Sequence, residues 1–136
     1  MLPLQHLAFW RSLSLALLVV VLIGALSPAV WFGNKADALS FMKNADKWVH
    51  GLTFFALSIW FAGLVERRGY WLVGLGLIVF GALLEFFQMY VRYRTADQFD
   101  IAANTAGIIV GLVVALAGLG GWGLRAENWY ARQTRN

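Results

Sequence analysis

The sequence of 136 residues contains no cysteine and few charged residues. The absence of cysteine excludes disulfides, thiolate metal ligands and cysteine nucleophiles. Charged residues make up 13% of the chain, whereas 60% of the residues are hydrophobic. A soluble domain carries about 25% charged residues, so an ordinary soluble globule is excluded. Disorder is excluded as well, because disordered chains are poor in apolar residues.

Four long apolar runs predict four membrane-spanning helices, since a helix crosses a bilayer with about 20 apolar residues. The predicted spans are residues 12–32, 48–65, 70–91 and 101–124. The first run extends beyond the length of a cleaved signal peptide, so we expect it to be retained. The fold predicted is an all-α polytopic membrane protein, a four-helix transmembrane bundle with short loops that forms a single domain over residues 1–136.

The distribution of basic residues predicts the orientation in the membrane. With the N-terminus inside, six basic residues lie on the inner side and five on the outer side. Three of the outer ones, Lys47, Arg92 and Arg94, lie close to acidic residues, and we assign them to a site. The remaining excess of inner charge predicts that both termini are cytoplasmic. Orientation also explains the net charge of +4, so membrane lipid is expected as a partner and nucleic acid is not.

Small residues in the apolar runs indicate where helices pack, and polar residues at the ends of the runs indicate a candidate site. Gly107 and Gly111, four residues apart in the fourth run, predict close helix packing.

Polar residues begin the second run, end the third and begin the fourth, and antiparallel spans place these three ends on one side, the outer face. The candidate catalytic residues are His50, Glu85 and Asp100. The candidate ligand-binding residues are Asp46, Lys47, Gln88, Arg94, Asp97 and Asn104.

The spacing of these residues supports a common pocket. Asp46 and His50 are four residues apart, which places both on one helical face, and Glu85 and Gln88 are three apart. Glu85 lies inside a span, where an acidic residue is a functional-site hypothesis by default. The partner expected for it is Arg94 or His50.

Structural roles remain open for the same residues. Asp is a frequent helix N-cap, and interhelical hydrogen bonds and ion pairs are common within membrane bundles. The convergence of the whole set, rather than any single member, favours a functional site. The structural alternatives are N-caps at Asp46 and Asp100, interface anchors at Lys47, Arg92 and Tyr93, interhelical hydrogen bonds from Gln88 and Asn104, and an ion pair between Glu85 and Arg94.

The ordered motifs resemble those of the VanZ-like family of small bacterial membrane proteins. The opening motif is Asp46-Lys47-x-x-His50 followed by Phe54-Phe55, and the second is Glu85-x-x-Gln88. The third is Arg94-x-x-Asp97-x-x-Asp100, which runs into Ala103-Asn104-Thr105-x-Gly107-x-x-x-Gly111. The resemblance covers residues 46–111. Gly51 departs from it, because the family more often has Phe after the histidine.

The resemblance implies a protein of the bacterial cytoplasmic (inner) membrane that acts on or binds a ligand of the cell envelope. That ligand is lipid-linked or related to glycopeptides, since the family takes its name from a member associated with low-level resistance to teicoplanin. The family name does not supply a reaction. A housekeeping role in the envelope is therefore as compatible with the resemblance as antibiotic resistance.

Three classes of function remain open. In an enzyme, Glu85 and His50 would transfer protons, Arg94 would hold an anionic group, and Asp97 and Asp100 would position the substrate. In a non-enzymatic binding or shielding protein, the same residues would hold a ligand without converting it. A small transporter or flippase component is the third class, and with so few helices it would need to form a homo-oligomer.

No cofactor is predicted, but one variant of the enzyme uses a divalent metal ion. Its ligands would be His50, Glu85 and Asp100, since imidazole and carboxylate ligands suit Mg, Mn or Zn. The chain contains no short metal-binding signature such as His-x-x-x-His.

Overall fold

The structure is a computed structural model, and it describes residues 2–26, 38–90 and 98–134, with side chains omitted at 38–46 and 98. Every regular element in these ranges is helical, which confirms the all-α prediction. The long helices are α1 (Leu7–Leu26), α2 (Ala38–Ala62), α3 (Tyr70–Tyr90) and α4 (Gln98–Val114). A 3-10 turn at Arg67–Gly69 precedes α3, and a π-helical turn at Ala115–Leu119 follows α4. A further helix, α5 (Trp122–Gln133), ends the described chain.

Three helical segments are long and apolar enough to cross a membrane. They are Leu7–Leu26, Arg67–Tyr90 and Phe99–Leu119. The second helix, α2, has 25 residues, but Lys43, Asp46 and Lys47 make its first half much more polar. The membrane span predicted for α2 therefore stays a prediction.

Two helices begin earlier than the apolar runs indicate, and this changes the roles of two aspartates. Because α2 begins at Ala38, Asp46 lies in the interior of the helix. Because α4 begins at Gln98, Asp100 is in its first turn rather than before it. The interpretation of Asp46 and Asp100 as N-caps is wrong, since an N-cap precedes the first helical residue. Asp100 still interacts favourably with the positive N-terminal end of α4.

The last apolar run does not form a single helix to residue 124. Gly118 and Gly121 adopt positive φ angles of 151° and 70°, which glycine reaches without the steric cost that a side chain would add. The chain therefore turns after Leu119 and begins α5 at Trp122. The sequence pattern did not predict this amphipathic fifth helix.

Glycines bring α2 and α4 into direct backbone contact. A Cβ atom added at Gly107 would lie less than 3.0 Å from the carbonyl oxygen of Gly51, and 3.1 Å from the amide nitrogen of Phe55. One added at Gly111 would lie 2.6 Å from the Cβ of Ser58. The packing role predicted for Gly107 and Gly111 is thus confirmed.

Apolar side chains both fill the bundle and cover its outside. The buried core between the helices consists of Phe54, Leu57, Leu77, Leu84 and Ile108. Many large apolar side chains also remain exposed along the helices. An exposed apolar surface of this extent marks a membrane interaction site, in agreement with the three apolar segments.

The start of α1 and the first turns of α5 meet at one end of the bundle, termed here the terminal end. Backbone hydrogen bonds join Leu2 to Leu64 and Gly121 to Ala62 there. The rings of Trp10, Trp60 and Trp122 contact one another beside them. The opposite end, termed the site end, contains the last turns of α3 and the first turns of α4.

Candidate functional site

Three helices bring the candidate catalytic residues together near the site end. His50 comes from α2, Glu85 from α3 and Asp100 from α4, and all three are buried. One ligand atom of each residue lies within 4.8 Å of the corresponding atoms of the other two. The antiparallel arrangement of the helices therefore joins groups that are 50 positions apart in sequence. Their catalytic role stays a prediction.

Asn104 fixes the position of the histidine ring. Its Oδ1 atom lies 3.2 Å from Nδ1 of His50. The amide oxygen can only accept, so Nδ1 is the donor of this contact, and the neutral ring that donates from Nδ1 has its lone pair on Nε2. The contact also joins α4 to α2, in agreement with the structural alternative in which Asn104 forms an interhelical hydrogen bond. The interhelical and functional roles are thus compatible at Asn104.

Gln88 uses its amide group to hold the end of α1. Its Nε2 atom donates to the carbonyl oxygen of Ala25 over 2.8 Å. This carbonyl lies in the last turn of α1, where backbone acceptors lack partners within the helix. The observed contact supports the interhelical role for Gln88, while its predicted role in ligand binding stays a prediction.

Lys47 lies at the same end of the bundle. Its Nζ atom is 4.4 Å from the centre of the Phe99 ring, a cation–π contact that joins α2 to the first turn of α4. Phe99 directly precedes Asp100 in α4, so the ammonium group belongs to the site end of the bundle. A cation in this position can attract an anionic head group.

The structure describes only part of the predicted binding set. Arg94 and Asp97, together with Arg92 and Tyr93, lie outside the described residues. For Asp46 the backbone is described and the side chain is not. The predicted ion pair between Glu85 and Arg94 therefore stays a prediction.

The donor set of the cluster is suitable for a metal ion. Carboxylate and imidazole groups are ligand types that Mn²⁺ and Zn²⁺ bind. Ligand atoms bound to one ion at about 2.0–2.2 Å are separated by at most about 4.4 Å. The ligand atoms of His50, Glu85 and Asp100 lie within 4.8 Å of one another, which is close to that limit.

A second buried acidic residue, Glu127 on α5, was missed by the sequence analysis. Its carboxylate accepts hydrogen bonds from the backbone N–H groups of Gln5 and His6 and from the indole of Trp10, over 2.7–3.0 Å. Burial alone would raise the pKa of Glu127, but these donors and the nearby His6 ring outweigh it and lower the pKa. Glu127 thus joins α5 to the start of α1.

No sequence pattern points to that contact, because Glu127 and its partners are separated by more than 115 residues. The one local signal is an acidic residue in an otherwise basic tail that contains Arg125 and Arg132.

Comparison with known proteins gives one relative. An uncharacterized protein of fission yeast, Schizosaccharomyces pombe, is 40% identical to this chain over 108 residues. The match covers 76% of this chain and 63% of the yeast protein, so this chain spans less than two thirds of its relative. No protein-family profile and no solved structure matches the chain.

Proposed function

We propose that the chain is a VanZ-like membrane protein that binds the head group of a lipid-linked substrate at its site end and performs acid–base chemistry on it. The observation that carries the proposal is the buried cluster of His50, Glu85 and Asp100, with ligand atoms within 4.8 Å. Ionisable groups inside membrane helices are expensive to bury, so functional sites are where they are usually found.

The cluster contains the groups that such chemistry needs. Glu85 and His50 are the proposed proton donor and acceptor, and Asn104 supports the tautomer in which Nε2 of His50 can accept a proton. Lys47, held against Phe99, is proposed to attract the anionic part of the head group. Exposed apolar residues around the helices, such as Trp48 and Met89, favour a substrate with a lipid tail.

The proposed location is the cytoplasmic membrane of a bacterium, with both termini inside. In support, four basic residues lie at the terminal end or in the segments that adjoin it, near the start of the chain, namely Arg67, Arg68, Arg125 and Arg132. The site end then faces the outer leaflet.

The yeast relative bears on the choice of substrate. The relative comes from a yeast, so we propose a lipid-linked substrate ahead of a glycopeptide. A change in teicoplanin tolerance would then be an indirect effect of altered envelope lipids.

The test compares membranes that contain the wild type, Glu85→Gln or Asp100→Asn at equal levels. Total lipids are analysed by mass spectrometry, and teicoplanin tolerance is measured in the same susceptible strain. Glu66→Gln is the matched control, because Glu66 is a carboxylate at the terminal end that pairs with exposed Arg68.

We expect one lipid species to be depleted and a product to appear with the wild type and the control, but not with the two site variants. Unchanged lipid that co-purifies with the protein, with no product, would indicate a binding protein instead. Identical lipid profiles and identical tolerance in all strains would contradict the proposal.

A further inference from the structure

We propose that His50, Glu85 and Asp100 form a binding site for one divalent metal ion of the manganese or zinc type. The binding of the ion is argued from geometry alone, whereas its use in turnover rests on the proposed function. The argument has three parts, namely the geometry of the donor atoms, the orientation of the histidine and the surroundings of Asn104.

The geometry of the donor atoms gives the first reason. Glu85 and Asp100 are 5% and 7% exposed, and they lie on facing helices with His50 beside them. One ligand atom of each of the three residues lies within 4.8 Å of those of the other two. Carboxylate oxygens and an imidazole nitrogen that converge in this way form a donor set that a divalent cation can bind.

The histidine gives the second reason. Metal-binding histidines nearly always donate their other ring N–H to a fixed acceptor, which sets the tautomer and aims the lone pair at the metal. Asn104 supplies this acceptor at 3.2 Å from Nδ1. Nε2 of His50 is therefore the ring atom that would bind the ion. Imidazole with two carboxylate oxygens suits Mn²⁺ or Zn²⁺ better than Ca²⁺, which prefers oxygen ligands alone.

Asn104 gives the third reason. Its side chain is 3% exposed, and its Nδ2 atom has no hydrogen-bond partner among the residues that the structure describes. The same atom would lie 3.4 Å from a Cβ added at Gly81, so it faces α3 one helical turn before Glu85. A buried amide donor without a partner is costly. A carboxylate ligand or a water molecule on the bound ion would satisfy it.

The experiment uses the full chain, purified in detergent after treatment with EDTA. Mn²⁺ binding is followed by the loss of the free-ion signal in electron paramagnetic resonance, and Zn²⁺ is then used as a competitor. The site variants are His50→Gln, Glu85→Gln and Asp100→Asn. The controls are His6→Gln and Glu66→Gln, which remove the other histidine and an exposed carboxylate at the terminal end. Size-exclusion profiles and Trp fluorescence check that each variant is folded.

We expect one ion per chain in the wild type and in both controls, and loss of binding in all three site variants. Asn104→Leu should weaken binding by about 10- to 100-fold without abolishing it, as replacement of a residue that orients a ligand does. The folded wild type should also gain thermal stability with Mn²⁺ and lose that gain with EDTA.

Absence of stoichiometric binding to the wild type would overturn the proposal without the use of any variant. Binding that survives in the three site variants, or disappears in His6→Gln, would overturn it as well, because the ion would then be held elsewhere. The two proposals fail separately. Metal binding without lipid turnover contradicts only the proposed function, and lipid turnover by a protein that binds no stoichiometric metal ion contradicts only the metal site.

Discussion

Replacement of Gly107 by alanine tests whether the close approach of α2 and α4 supports both the fold and the site. The added Cβ would lie less than 3.0 Å from the carbonyl oxygen of Gly51, and 3.1 Å from the amide nitrogen of Phe55. Both atoms belong to the backbone, so no side chain can rotate away from the new methyl group. The two helices must separate, by about 1 Å, to restore ordinary contact.

The expected magnitude follows from two opposing terms. Overpacking of this kind costs about 1–3 kcal/mol, and we take the upper value because both contacted atoms are backbone atoms. Alanine gains about 1 kcal/mol over glycine through its higher helix propensity. The net loss of unfolding free energy is therefore about 2 kcal/mol. The matched control is Gly76→Ala on α3, where a Cβ would have no neighbour within 4 Å, so only the gain remains.

The assay is unfolding in mixed micelles with increasing SDS, followed by Trp fluorescence. Gly107→Ala should unfold at a lower SDS fraction than the wild type, and Gly76→Ala at the same fraction or a higher one. Separation of α2 from α4 should also move His50 away from Asp100 and weaken Mn²⁺ binding in the folded variant. Equal stability of Gly107→Ala and the wild type would refute the reasoning, as would an equal loss in both variants.

Two further substitutions address the polar contacts. Glu127→Gln should lower the free energy of unfolding by about 1–3 kcal/mol, because buried N–H donors lose a charged acceptor, and SDS unfolding beside the exposed control Glu66→Gln measures this. Because the pKa of Glu127 is lowered in the folded state, its stabilisation is present above the unfolded-state pKa and is lost as the pH falls through the folded-state pKa. Unfolding from neutral to acidic pH should thus show a smaller loss in Glu127→Gln than in the wild type, and parallel curves would contradict this. Gln88→Leu should lower the free energy of unfolding by about 0.6 kcal/mol, which is typical of a hydrogen bond between membrane helices. If this variant also loses lipid turnover, Gln88 has a role in ligand binding as well.

The parts of the fold that could be predicted from sequence are those governed by local composition. The apolar runs indicate α1, α3 and α4 because lipid selects length and hydropathy, and Gly107 and Gly111 indicate close packing through their spacing. The meeting of His50, Glu85 and Asp100 follows from antiparallel topology. The start of α2 could not be placed, because its first turns are polar.

The contacts that escaped prediction depend on partners far away in the sequence. Glu127 is surrounded by donors from the start of the chain, and nothing within α5 specifies them. The orientation of the His50 ring likewise depends on Asn104 in another helix. Sequence spacing shows that two residues share a face, but only the packed structure shows which atoms meet.

The two ends of the bundle bury acidic groups in different arrangements, and the difference bears on their roles. At the terminal end the carboxylate of Glu127 accepts three N–H donors, an arrangement that stabilises the folded chain by itself. At the site end Glu85 and Asp100 lie on separate helices beside His50, with ligand atoms within 4.8 Å of one another. Carboxylate and imidazole groups that converge in this way are the ligand types of Mn²⁺ and Zn²⁺. The terminal end is therefore understood as a structural contact, whereas the site end is the part of the molecule where a bound cation and a polar ligand have a physical reason to be.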